Sequence, residues 1–532
     1  MPCTPPRSTV CLPIRQGRRR RPLLLGGLGA GVLLAATGCQ AAPVAAPPAP
    51  PAQASMRWPV PEPPELDARN PVLWVGLASH LRPDTPVELR SGGGLITLVT
   101  PDGARYSSPR LVLHWRTVPV DPPLQIRRQV LGPFASYESA DEAASRWRAA
   151  GVEPLIANPR EWEVWAPLSA PLPPGLGPSR SVEQRLDQRA VLELRRDAGP
   201  VLLEGPLQLE TPGGLYWQGG LFQGPFRLQP DAYGSWALVE EVPLERYLQG
   251  VVPHEIGAGS PQAALAAQAV LARTWAVRNR VRFAVDGYHL CADTQCQVYA
   301  DPRQAGAGVR QAIAATRSQV LTWQGQPIHA VYHATNGGVS AGFEEVWSGA
   351  PLPYLLPGVD ASQALKARFP LPLANARVPD LLAAGSGFHG ADHPRFRWTR
   401  TLTAGQIAQA LQRVAPQLGT PQEVKVLERG ASGRVLALQI QGSGGSTVLR
   451  LDAIRRTLRQ LPSTLFVVSP SGPGSWRFGG GGFGHGAGLS QAGAIDLARR
   501  GWPLQRILQH YYPGTTLQPL SALDTNPHGS AP

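Results

Sequence analysis

Several features that mark common classes of protein are missing from this sequence of 532 residues. The apolar run from Pro22 to Thr37 is shorter than a membrane-spanning helix, which needs about 20 residues. The glycine-rich stretch after Gly479 has no Gly-Lys-Ser/Thr ending, and no Ser-His-Asp or Cys-His nucleophile pattern is present. These absences argue against a permanent membrane helix, a nucleotide-binding P-loop and a side-chain nucleophile.

Acidic residues are in the minority. The chain has 50 Lys and Arg against 37 Asp and Glu, which gives a net charge of +13. Six of the arginines and no acid lie in residues 1–39, so the rest of the chain is nearer +7. This balance suits an anionic polymer as a partner. The basic residues do not form a stripe with interleaved aromatic rings, so we expect no nucleic-acid partner.

The first 39 residues have the pattern of an export signal. A basic segment, Arg18–Arg21, precedes the apolar run, and the run ends in Ala36-Thr37-Gly38-Cys39. This ending is similar to the processing site of a lipoprotein, so we predict a signal peptide over residues 1–39 and lipidation of Cys39. Because Ala36 stands where leucine is usual, cleavage without lipidation is the alternative.

The residues after Cys39 predict a spacer. Residues 40–70 are rich in proline and alanine and are predicted to form a semi-rigid tether. Residues 521–532 are predicted to be a disordered tail. We therefore expect an exported protein, periplasmic or facing the cell wall, that is tethered to the membrane as a lipoprotein.

The most informative stretch is Leu244–Arg280. In it, a short apolar segment and a lone acid, Glu255, precede an alanine-rich helix. Ser260 suits the N-cap of this helix and Pro261 its first position. The helix is apolar around most of its surface and is therefore predicted to be buried, yet it carries Arg273. Arg273 is interpreted either as half of a structural ion pair or as a charge at the mouth of a cleft.

Ordered motifs in the second half of the chain resemble the SpoIID/LytB family, the group of stage II sporulation protein D and the amidase enhancer. They are YLQGVVPHEI with AALAAQAVLARTWA, then CQVYAD, IHAVYHATNGG and GFGHGAGLSQAGAIDLA, all within residues 238–517. The resemblance implies an α+β fold, with a catalytic domain over residues 238–520 that has mixed β-sheets and an alanine-rich central helix. It also implies that the family's catalytic glutamate corresponds to Glu255 and its helix arginine to Arg273.

The resemblance implies a substrate cleft as well. We predict that it is lined by side chains from these motifs, namely Gln268, Arg273, Tyr332, His333, Thr335, Asn336, His485, Ser490 and Gln491. The alternative for His485 is a hydrogen-bonded loop histidine. Candidate sugar-stacking rings are Tyr332, Tyr511 and Trp347, and the alternative for each is a core ring. The helix carries Arg273 about 20 Å from its N-cap, so we expect Arg273 to bind substrate or brace the cleft and not to clamp Glu255.

Two cysteines lie within the resemblance. Cys291 and Cys296 are close enough in sequence to form a disulfide in an oxidising compartment. With His289 nearby, zinc is the alternative, and some family members bind zinc here through two cysteines and two histidines. Gln295 stands where those members have a histidine, which favours the disulfide. We therefore predict no metal and no other cofactor, with zinc at His289, Cys291 and Cys296 as the minority alternative.

Three regions precede the catalytic domain. Residues 71–123 are predicted as an N-terminal strand region. Residues 124–170 have a strand, helix, strand, strand pattern that resembles a SPOR repeat, a small α+β fold that binds peptide-free glycan. The alternative is a small α+β insertion that only braces the catalytic part. Residues 180–237 are predicted to form a β-rich region of short strands.

The function follows from the chemistry of Glu255. Its apolar neighbours suit a general acid with a raised pKa, although a lone glutamate before a helix also complements the helix dipole. Characterised members of the resembled family cut peptidoglycan glycan strands that have lost their stem peptides. Most glycosidases pair two carboxylates. A lytic transglycosylase can use one, because the sugar's own hydroxyl closes a 1,6-anhydro ring, and no second carboxylate accompanies Glu255 in its motif.

We therefore predict an enzyme, a lytic transglycosylase whose partner is the peptidoglycan glycan strand. The alternative is a non-catalytic peptidoglycan-binding protein that recruits or enhances an N-acetylmuramoyl-L-alanine amidase. In that case a cell-wall amidase is a second partner.

Overall fold

The computed structural model describes residues 54–523. The predicted signal peptide with Cys39, residues 40–53 of the predicted tether and residues 524–532 of the predicted tail lie outside the described residues. Within residues 54–523 the chain forms 29 strands in seven sheets and ten α-helices, which confirms the predicted α+β class. No helix in this range combines the length and the apolar character needed to cross a membrane.

The part of the chain up to residue 243 is almost entirely β-structure. Its elements are β1 (Ala54–Ser55), β2 (Val72–Leu81), β3 (Val87–Ser91), β4 (Ile96–Val99), β5 (Arg105–Ser108), β6 (Arg110–Phe134), α1 (Tyr137–Ala149), β7 (Leu155–Ala157), β8 (Trp162–Ala166), β9 (Arg180–Leu194), β10 (Val201–Leu203), β11 (Leu207–Glu210), β12 (Leu215–Trp217), β13 (Gly220–Phe222), β14 (Phe226–Pro230) and β15 (Trp236–Pro243).

Helices and short strands alternate in the next part. They are α2 (Leu244–Val252), a π-helical turn (Pro253–Gly257), α3 (Gln262–Arg278), β16 (Leu290–Cys291), α4 (Ala307–Ala315), β17 (Gln319–Trp323), β18 (Gln326–Pro327), β19 (Tyr332–His333) and β20 (Val339–Ser340).

The last part adds two small sheets and several helices. They are β21 (Gly358–Val359), α5 (Gln363–Arg368), α6 (Val378–Ala383), β22 (Arg397–Thr403), α7 (Ala404–Leu411), β23 (Pro421–Arg429), β24 (Val435–Gly442), β25 (Gly445–Arg450), α8 (Asp452–Thr457), β26 (Phe466–Pro470), β27 (Ser475–Gly481), β28 (Leu489–Ser490), α9 (Gln491–Arg499), α10 (Leu504–Tyr511) and β29 (Thr516–Pro519).

Two large sheets organise the N-terminal half. The first has nine strands with the order β10-β9-β6-β3-β12-β13; in addition, β1 and β8 pair with β6, and β7 pairs with β8. The second has the order β16-β2-β15-β14-β11-β4-β5. Apolar side chains from both sheets share one core with α3. The sequence predicted only short strands over residues 180–237, but β9 is 15 residues long. No glycine or proline interrupts Arg180–Leu194, so nothing stops it from pairing along β6.

The region predicted to resemble a SPOR repeat has the expected order of a strand, a helix and two strands. Helix α1 follows β6, and the β7–β8 hairpin returns to pair β8 with β6. The first strand is not confined to this region, because β6 runs without a break from Arg110 to Phe134 and also pairs with β3 and β9. The SPOR resemblance itself stays a prediction.

Residues 54–70, the last part of the predicted tether, lie against the folded body. The Trp58 N–H donates to the Ala232 carbonyl at 3.0 Å, and the Arg57 guanidinium donates to the Val285 carbonyl at 2.6 Å. The tether prediction is therefore corrected for these residues. A proline-rich segment keeps free carbonyls and side chains that can bond to a neighbouring surface.

Helix α3 is the centre of the core. Residues 264–277 are all buried, because the many alanines let α2, α4, α9 and β17 approach closely. The helix begins at Gln262 with Pro261 as its cap residue, one position later than predicted. The Ser260 hydroxyl donates back to the Ile256 carbonyl at 2.7 Å and so closes the preceding turn instead of capping the helix.

Residues 341–488 contribute a second core. The β22-β27-β26 and β23-β24-β25 sheets enclose apolar side chains together with α7 and α8. The β19 strand pairs in parallel with β28, which brings the two ends of this region together. As a result, residues on both sides of the region face the π-helical turn that carries Glu255.

Candidate functional site

Glu255 lines a cavity of about 230 Å³. The aromatic and apolar parts of its walls come from three parts of the chain. Helix α3 supplies Trp275, the segment before and within β19 supplies Val331 and Tyr332, and the region from residue 341 to 488 supplies Trp347 and His485. A carboxyl group among aromatic rings is an arrangement suited to binding a sugar and protonating it.

The backbone around Glu255 holds its carboxyl in place. Glu255 lies in the π-helical turn that follows α2, and such turns occur often at functional sites. Its Oε1 accepts a hydrogen bond from the Val298 N–H at 3.0 Å. Burial raises the pKa of Glu255, and the Val298 N–H, the Tyr332 hydroxyl and His254 only partly oppose this. The predicted acid environment is therefore present.

A chain of buried polar groups orients the Tyr332 hydroxyl. Tyr247 donates to Gln297 Oε1 at 3.1 Å, and Gln297 Nε2 donates to the Tyr332 oxygen at 2.9 Å. Because the Tyr332 oxygen already accepts one hydrogen bond, its own proton is available to the neighbouring Glu255 carboxyl. Gln297 is 1 % exposed, and it therefore acts as a positioning residue for this pair.

The two cysteines support the same segment. Cys291 and Cys296 form a disulfide with a Cα–Cα distance of 5.7 Å, and Cys296 directly precedes Gln297. His289, the third residue of the zinc alternative, has both ring nitrogens occupied. Its Nδ1 accepts from the Trp74 N–H at 2.8 Å and its Nε2 lies 2.9 Å from the Pro64 carbonyl. No cluster of three metal-ligating side chains occurs in residues 54–523.

His485 faces the cavity with both nitrogens used. Its Nε2 donates to the Tyr332 carbonyl at 2.8 Å, and its Nδ1 accepts from the Ala487 N–H at 3.2 Å. Burial lowers the pKa of His485 to about 3, so the ring is neutral. The Trp347 ring packs on it with centroids 5.0 Å apart. His485 therefore positions Tyr332 and Trp347 and is not placed to exchange a proton.

Two further carboxylates line this cavity, and the sequence analysis did not predict them. Glu138 from α1 pairs with Arg282, with an N–O distance of 3.0 Å. Burial alone would raise the pKa of Glu138, but the charge and hydrogen bonds of Arg282 lower it. Asp452, at the start of α8, is different, because burial raises its pKa to about 6 against the attraction of Arg456.

Arg273 is not in the cavity, which corrects its assignment as a substrate-binding residue. Its side chain is fully buried and forms a bidentate pair with Glu245, with Nε–Oε1 and Nη2–Oε2 distances of 2.9 and 2.7 Å. A third bond runs from Nη1 to the Gln319 carbonyl at 3.0 Å. The guanidinium therefore joins α2, α3 and β17, in agreement with the structural alternative.

Gln268, Gln491 and Ser490 are also core residues and not cleft residues. Gln491 Nε2 donates to Gln268 Oε1 at 3.2 Å, which joins α9 to α3. The Ser490 hydroxyl caps α9 by accepting from the Gly493 N–H at 3.2 Å. These side chains are buried and bonded to partners inside the protein, so their placement in a substrate cleft is corrected.

The TNGG segment is structural as well. Asn336 donates to Asp360 at 2.8 Å and accepts from the Gly338 N–H at 2.8 Å, and Thr335 accepts from the Gly337 N–H. Tyr511 bonds the same Asp360 and is therefore not a sugar-stacking ring. His333 is buried, with Nδ1 bonded to the Ala487 carbonyl. Of the nine predicted substrate-binding residues, only Tyr332 and His485 line the Glu255 cavity.

Some of the residues that the sequence analysis missed come from outside the motifs. Glu138, Arg282, Asp452, Arg455 and Arg456 line the cavity. No local pattern marks them, because α1, the segment after α3 and α8 bring them to the cavity from distant parts of the chain. Other lining residues that the sequence analysis missed do lie inside the quoted motifs, namely Trp275, Gln297, Val298 and Val331.

Comparison with known proteins gives two family matches. Residues 232–323 match the family described as stage II sporulation protein, and residues 341–488 match a domain of unknown function. Stage II sporulation protein D of Bacillus subtilis strain 168 is 30% identical over 306 residues, which cover 53% of this chain and 77% of the relative.

The chain belongs to the SpoIID/LytB family. Stage II sporulation protein D of Bacillus amyloliquefaciens is 29% identical over 301 residues, 52% of this chain and 75% of the relative. The amidase enhancer of Bacillus subtilis strain 168 is 28% identical over 292 residues, 51% of this chain and 40% of that protein. Glu255, Trp275 and the disulfide lie in the SpoIID match, whereas Trp347, Asp452 and His485 lie in the domain of unknown function.

Proposed function

We propose that this SpoIID/LytB family member is a lytic transglycosylase of the cell wall. It cleaves peptidoglycan glycan strands that have lost their stem peptides, with Glu255 as the single general acid and base. The observation that carries the proposal is the Glu255 carboxyl itself, which lines a 230 Å³ cavity and has a pKa raised by burial. Family membership supports the broader statement of a role at the cell wall.

The proposed reaction uses one carboxyl group twice, first as an acid and then as a base. Protonated Glu255 donates to the glycosidic oxygen, and the bond from that oxygen to the muramoyl C1 breaks. The resulting carboxylate then accepts the proton of the muramoyl C6 hydroxyl, and the C6 oxygen bonds to C1. The products are a 1,6-anhydro-muramoyl end and a new sugar end with a free hydroxyl. No water is consumed, and Glu255 is protonated again at the end of the cycle.

The cavity walls suit this chemistry. Trp275 and Trp347 present aromatic surface on which a sugar ring can pack, and both are largely shielded from solvent. The raised pKa keeps a larger share of Glu255 protonated near neutral pH than an exposed glutamate would have. The Val298 N–H and the Tyr332 hydroxyl then stabilise the carboxylate that forms midway through the reaction.

The decisive experiment compares the parent protein with its Glu255→Gln variant on peptide-free glycan strands. We expect 1,6-anhydro-muramoyl ends by mass spectrometry for the parent and none for the variant, with equal binding of both proteins to the strands. Glu423→Gln, an exposed glutamate of β23, is the matched control and should cleave like the parent. Equal cleavage by Glu255→Gln would remove Glu255 from the mechanism.

A second function is favoured by one specific observation, the similarity to an amidase enhancer. In this alternative the cavity only binds glycan, and the protein stimulates a cell-wall amidase. It predicts that Glu255→Gln stimulates stem-peptide release by a purified amidase as well as the parent does. Stimulation without any anhydro product from the parent would select this alternative.

We also propose that the protein is exported and held at the membrane through Cys39. The supporting observation is the Ala36-Thr37-Gly38-Cys39 ending of the N-terminal apolar run. Cys39→Ser should move the protein from the membrane fraction to the soluble fraction. A protein that stays in the soluble fraction with an unmodified Cys39 would favour cleavage without lipidation.

A further inference from the structure

A groove rich in arginine opens beside the Glu255 cavity. It has a volume of about 540 Å³ and is lined by Arg395, Arg400, Arg455, Arg456 and Arg459. Arg455 and Arg456 line the Glu255 cavity as well, so the two spaces adjoin. No aspartate or glutamate lines the groove. All five arginines belong to the region that matches a domain of unknown function.

The charge in this groove is only partly neutralised by the protein, through Asp452 beside Arg455 and Arg456. Within residues 54–523 none of the five arginines forms an ion pair with a carboxylate, whereas arginines such as Arg282 and Arg303 do. Arg395, Arg400 and Arg459 are exposed, and the guanidinium of Arg395 lies 4.1 Å from the Phe483 ring centroid. Arg400 donates once to the Thr399 carbonyl at 2.8 Å and Arg459 once to the Arg456 carbonyl at 3.3 Å, which leaves their other donors for a ligand.

The inner end of the groove is crowded with like charge. Burial and then the charge of Arg456 lower the pKa of Arg455, and Asp452 offsets this only in part. The buried Nε of Arg456 has no hydrogen-bond partner in the described structure. Placing cations this close together is unfavourable unless an anion lies between them. A bound anionic group at this end of the groove would offset the repulsion that Asp452 leaves and could accept from the Arg456 Nε.

We propose that this groove binds the lactyl carboxylates of peptide-free glycan, next to the bond that Glu255 cleaves. The proposal rests on the proposed function and names the group that the site recognises. Guanidinium groups bind carboxylates with paired N–H donors. When an amidase removes a stem peptide, the amide at the muramoyl lactyl group becomes a carboxylate. A peptide-free strand is therefore a regular polyanion, whereas a strand that keeps its peptides has no free carboxylate at that atom.

The position of the groove explains why the same strand fills both spaces. A polymer whose scissile bond lies at Glu255 must continue beyond the cavity, and Arg455 and Arg456 mark where the cavity meets the groove. Neighbouring sugars then place their carboxylates among the arginines. In this way the region of residues 341–488 would give the enzyme its preference for strands that an amidase has already processed.

The test uses the full chain with Glu255→Gln, so that strands are bound without being cut. Arg400→Gln/Arg459→Gln changes two exposed arginines that do not line the Glu255 cavity. The matched control is Arg185→Gln/Arg477→Gln, which removes the same charge from two exposed positions outside the groove. The ligands are peptide-free strands, the same strands with their lactyl carboxylates converted to methylamides, and a poly(glycerol phosphate) chain.

We expect the groove variant to bind peptide-free strands at least about tenfold more weakly, and the control to bind them unchanged. The amidated strands should bind weakly and equally to all three proteins. Equal affinity of the groove variant and the control for peptide-free strands would overturn the proposal. It would also be overturned if only binding of the phosphate polymer were lost, since the groove would then serve a different wall polymer.

The binding test of the groove and the cleavage test of the proposed function can fail independently of each other. If the parent makes no anhydro product but the groove variant still loses binding to peptide-free strands, the groove assignment stands and transglycosylase activity falls. If the parent cleaves and the groove variant binds peptide-free strands like the control, the proposed function stands and the groove assignment falls.

Discussion

The Val298 N–H donates to Glu255 Oε1 at 3.0 Å and joins two segments that are 43 residues apart in sequence. Val298 follows Gln297, which bonds Tyr332, and Gln297 follows the disulfide residue Cys296. The short segment from Cys296 to Val298 therefore positions both the Glu255 carboxyl and the Tyr332 hydroxyl. The geometry of the acid depends on this segment as much as on the helix turn that carries Glu255.

Glu255→Gln should change how stability depends on pH. The folded-state pKa of Glu255 is raised above 4.5, so the folded parent binds this proton more tightly than the unfolded chain does. Below about pH 4.5 the side chain is neutral in both states, and parent and variant should differ least there. As pH rises through the folded pKa, the parent should lose stability relative to the variant.

Thermal melting between about pH 4 and pH 8 measures this effect. The variant's melting temperature minus the parent's should grow with pH and then level off. Glu423→Gln removes an exposed carboxylate and controls for the change in net charge. A difference that shrinks as pH rises would contradict a raised pKa at Glu255.

Tyr332→Phe should move the pH profile of glycan cleavage. The Tyr332 hydroxyl lowers the pKa of Glu255, so removing it should raise that pKa further. The high-pH limb of kcat/KM, where the acid loses its proton, should therefore shift to higher pH. The change also leaves the buried Gln297 amide without its acceptor, which costs about 1–3 kcal/mol of stability.

If Tyr332→Phe only destabilised the protein, the cleavage rate would fall at all pH values and the high-pH limb of kcat/KM would not shift. Tyr106→Phe, at a tyrosine of β5 outside the cavity, is the control and should leave the profile in place. A Tyr332→Phe profile with the parent's high-pH limb would show that the hydroxyl does not act on Glu255.

The disulfide gives a prediction that also decides against zinc. The intact mass of the protein purified without reductant should be about 2 Da below the fully reduced mass. Closing a loop between residues five apart stabilises by about 2 kcal/mol, so Cys291→Ser/Cys296→Ser should lower the free energy of unfolding by about that amount. Cleavage should fall too, because Gln297 and Val298 follow directly.

Urea unfolding and mass spectrometry give the two readouts. Two free thiols with one equivalent of bound zinc would reverse the assignment in favour of His289, Cys291 and Cys296. Mutating Cys3 and Cys11, which belong to the predicted signal peptide, should change neither readout.

The sequence predicted the apolar surroundings of Glu255, whose role as the acid stays a prediction, and it predicted the other cavity residues poorly. The apolar neighbours of Glu255 are contiguous in sequence, so a raised pKa could be inferred from them. The structural role of Arg273 could not be inferred from the sequence, because its partner Glu245 lies 28 residues earlier. Only the packing of α2 on α3 brings the two side chains together. The polar residues of the TNGG and GLSQ segments look like cleft residues in sequence, yet they are buried and bonded to partners inside the protein.

For the fold as well, local features could be predicted from the sequence and long-range features could not. Strand and helix class followed from local pattern, and the α+β class was confirmed. The merging of the predicted SPOR-like unit into a larger sheet depends on β6 pairing with β9, whose register no local pattern reveals. The arginine groove could not be predicted for a related reason, since Arg395, Arg400 and Arg455 are scattered along the chain and line one groove only in the folded structure.

Arg273→Met should destabilise the protein without changing the chemistry. Removing one partner leaves the Glu245 carboxylate partly buried and without its bidentate ion pair, which costs about 3–5 kcal/mol. The rate of cleavage per folded molecule should stay within about twofold of the parent, because Arg273 does not line the cavity. Urea unfolding and rates corrected for the folded fraction measure the two effects.

The double variant Arg273→Met/Glu245→Leu provides the control. Replacing both charged partners removes the unpaired carboxylate, so part of the lost stability should return. A large fall in rate with unchanged stability would instead restore Arg273 as a substrate-binding residue.

Asp452→Asn tests whether one carboxylate is enough. Asp452 lines the Glu255 cavity, and burial raises its pKa to about 6, so it is the group best placed to act as a second catalytic carboxylate. A one-acid mechanism does not need it. We therefore expect Asp452→Asn to keep kcat within about threefold of the parent and to keep forming 1,6-anhydro ends.

The same change removes a negative charge beside Arg455 and Arg456, so the groove becomes more attractive to an anionic strand. KM for peptide-free strands should therefore fall or stay the same while kcat holds. Asp187→Asn, at an exposed position of β9, controls for net charge and should alter neither constant. If kcat instead drops by about a hundredfold or more, Asp452 takes part in the chemistry. Products with free reducing ends from the parent would then identify the enzyme as a two-carboxylate hydrolase.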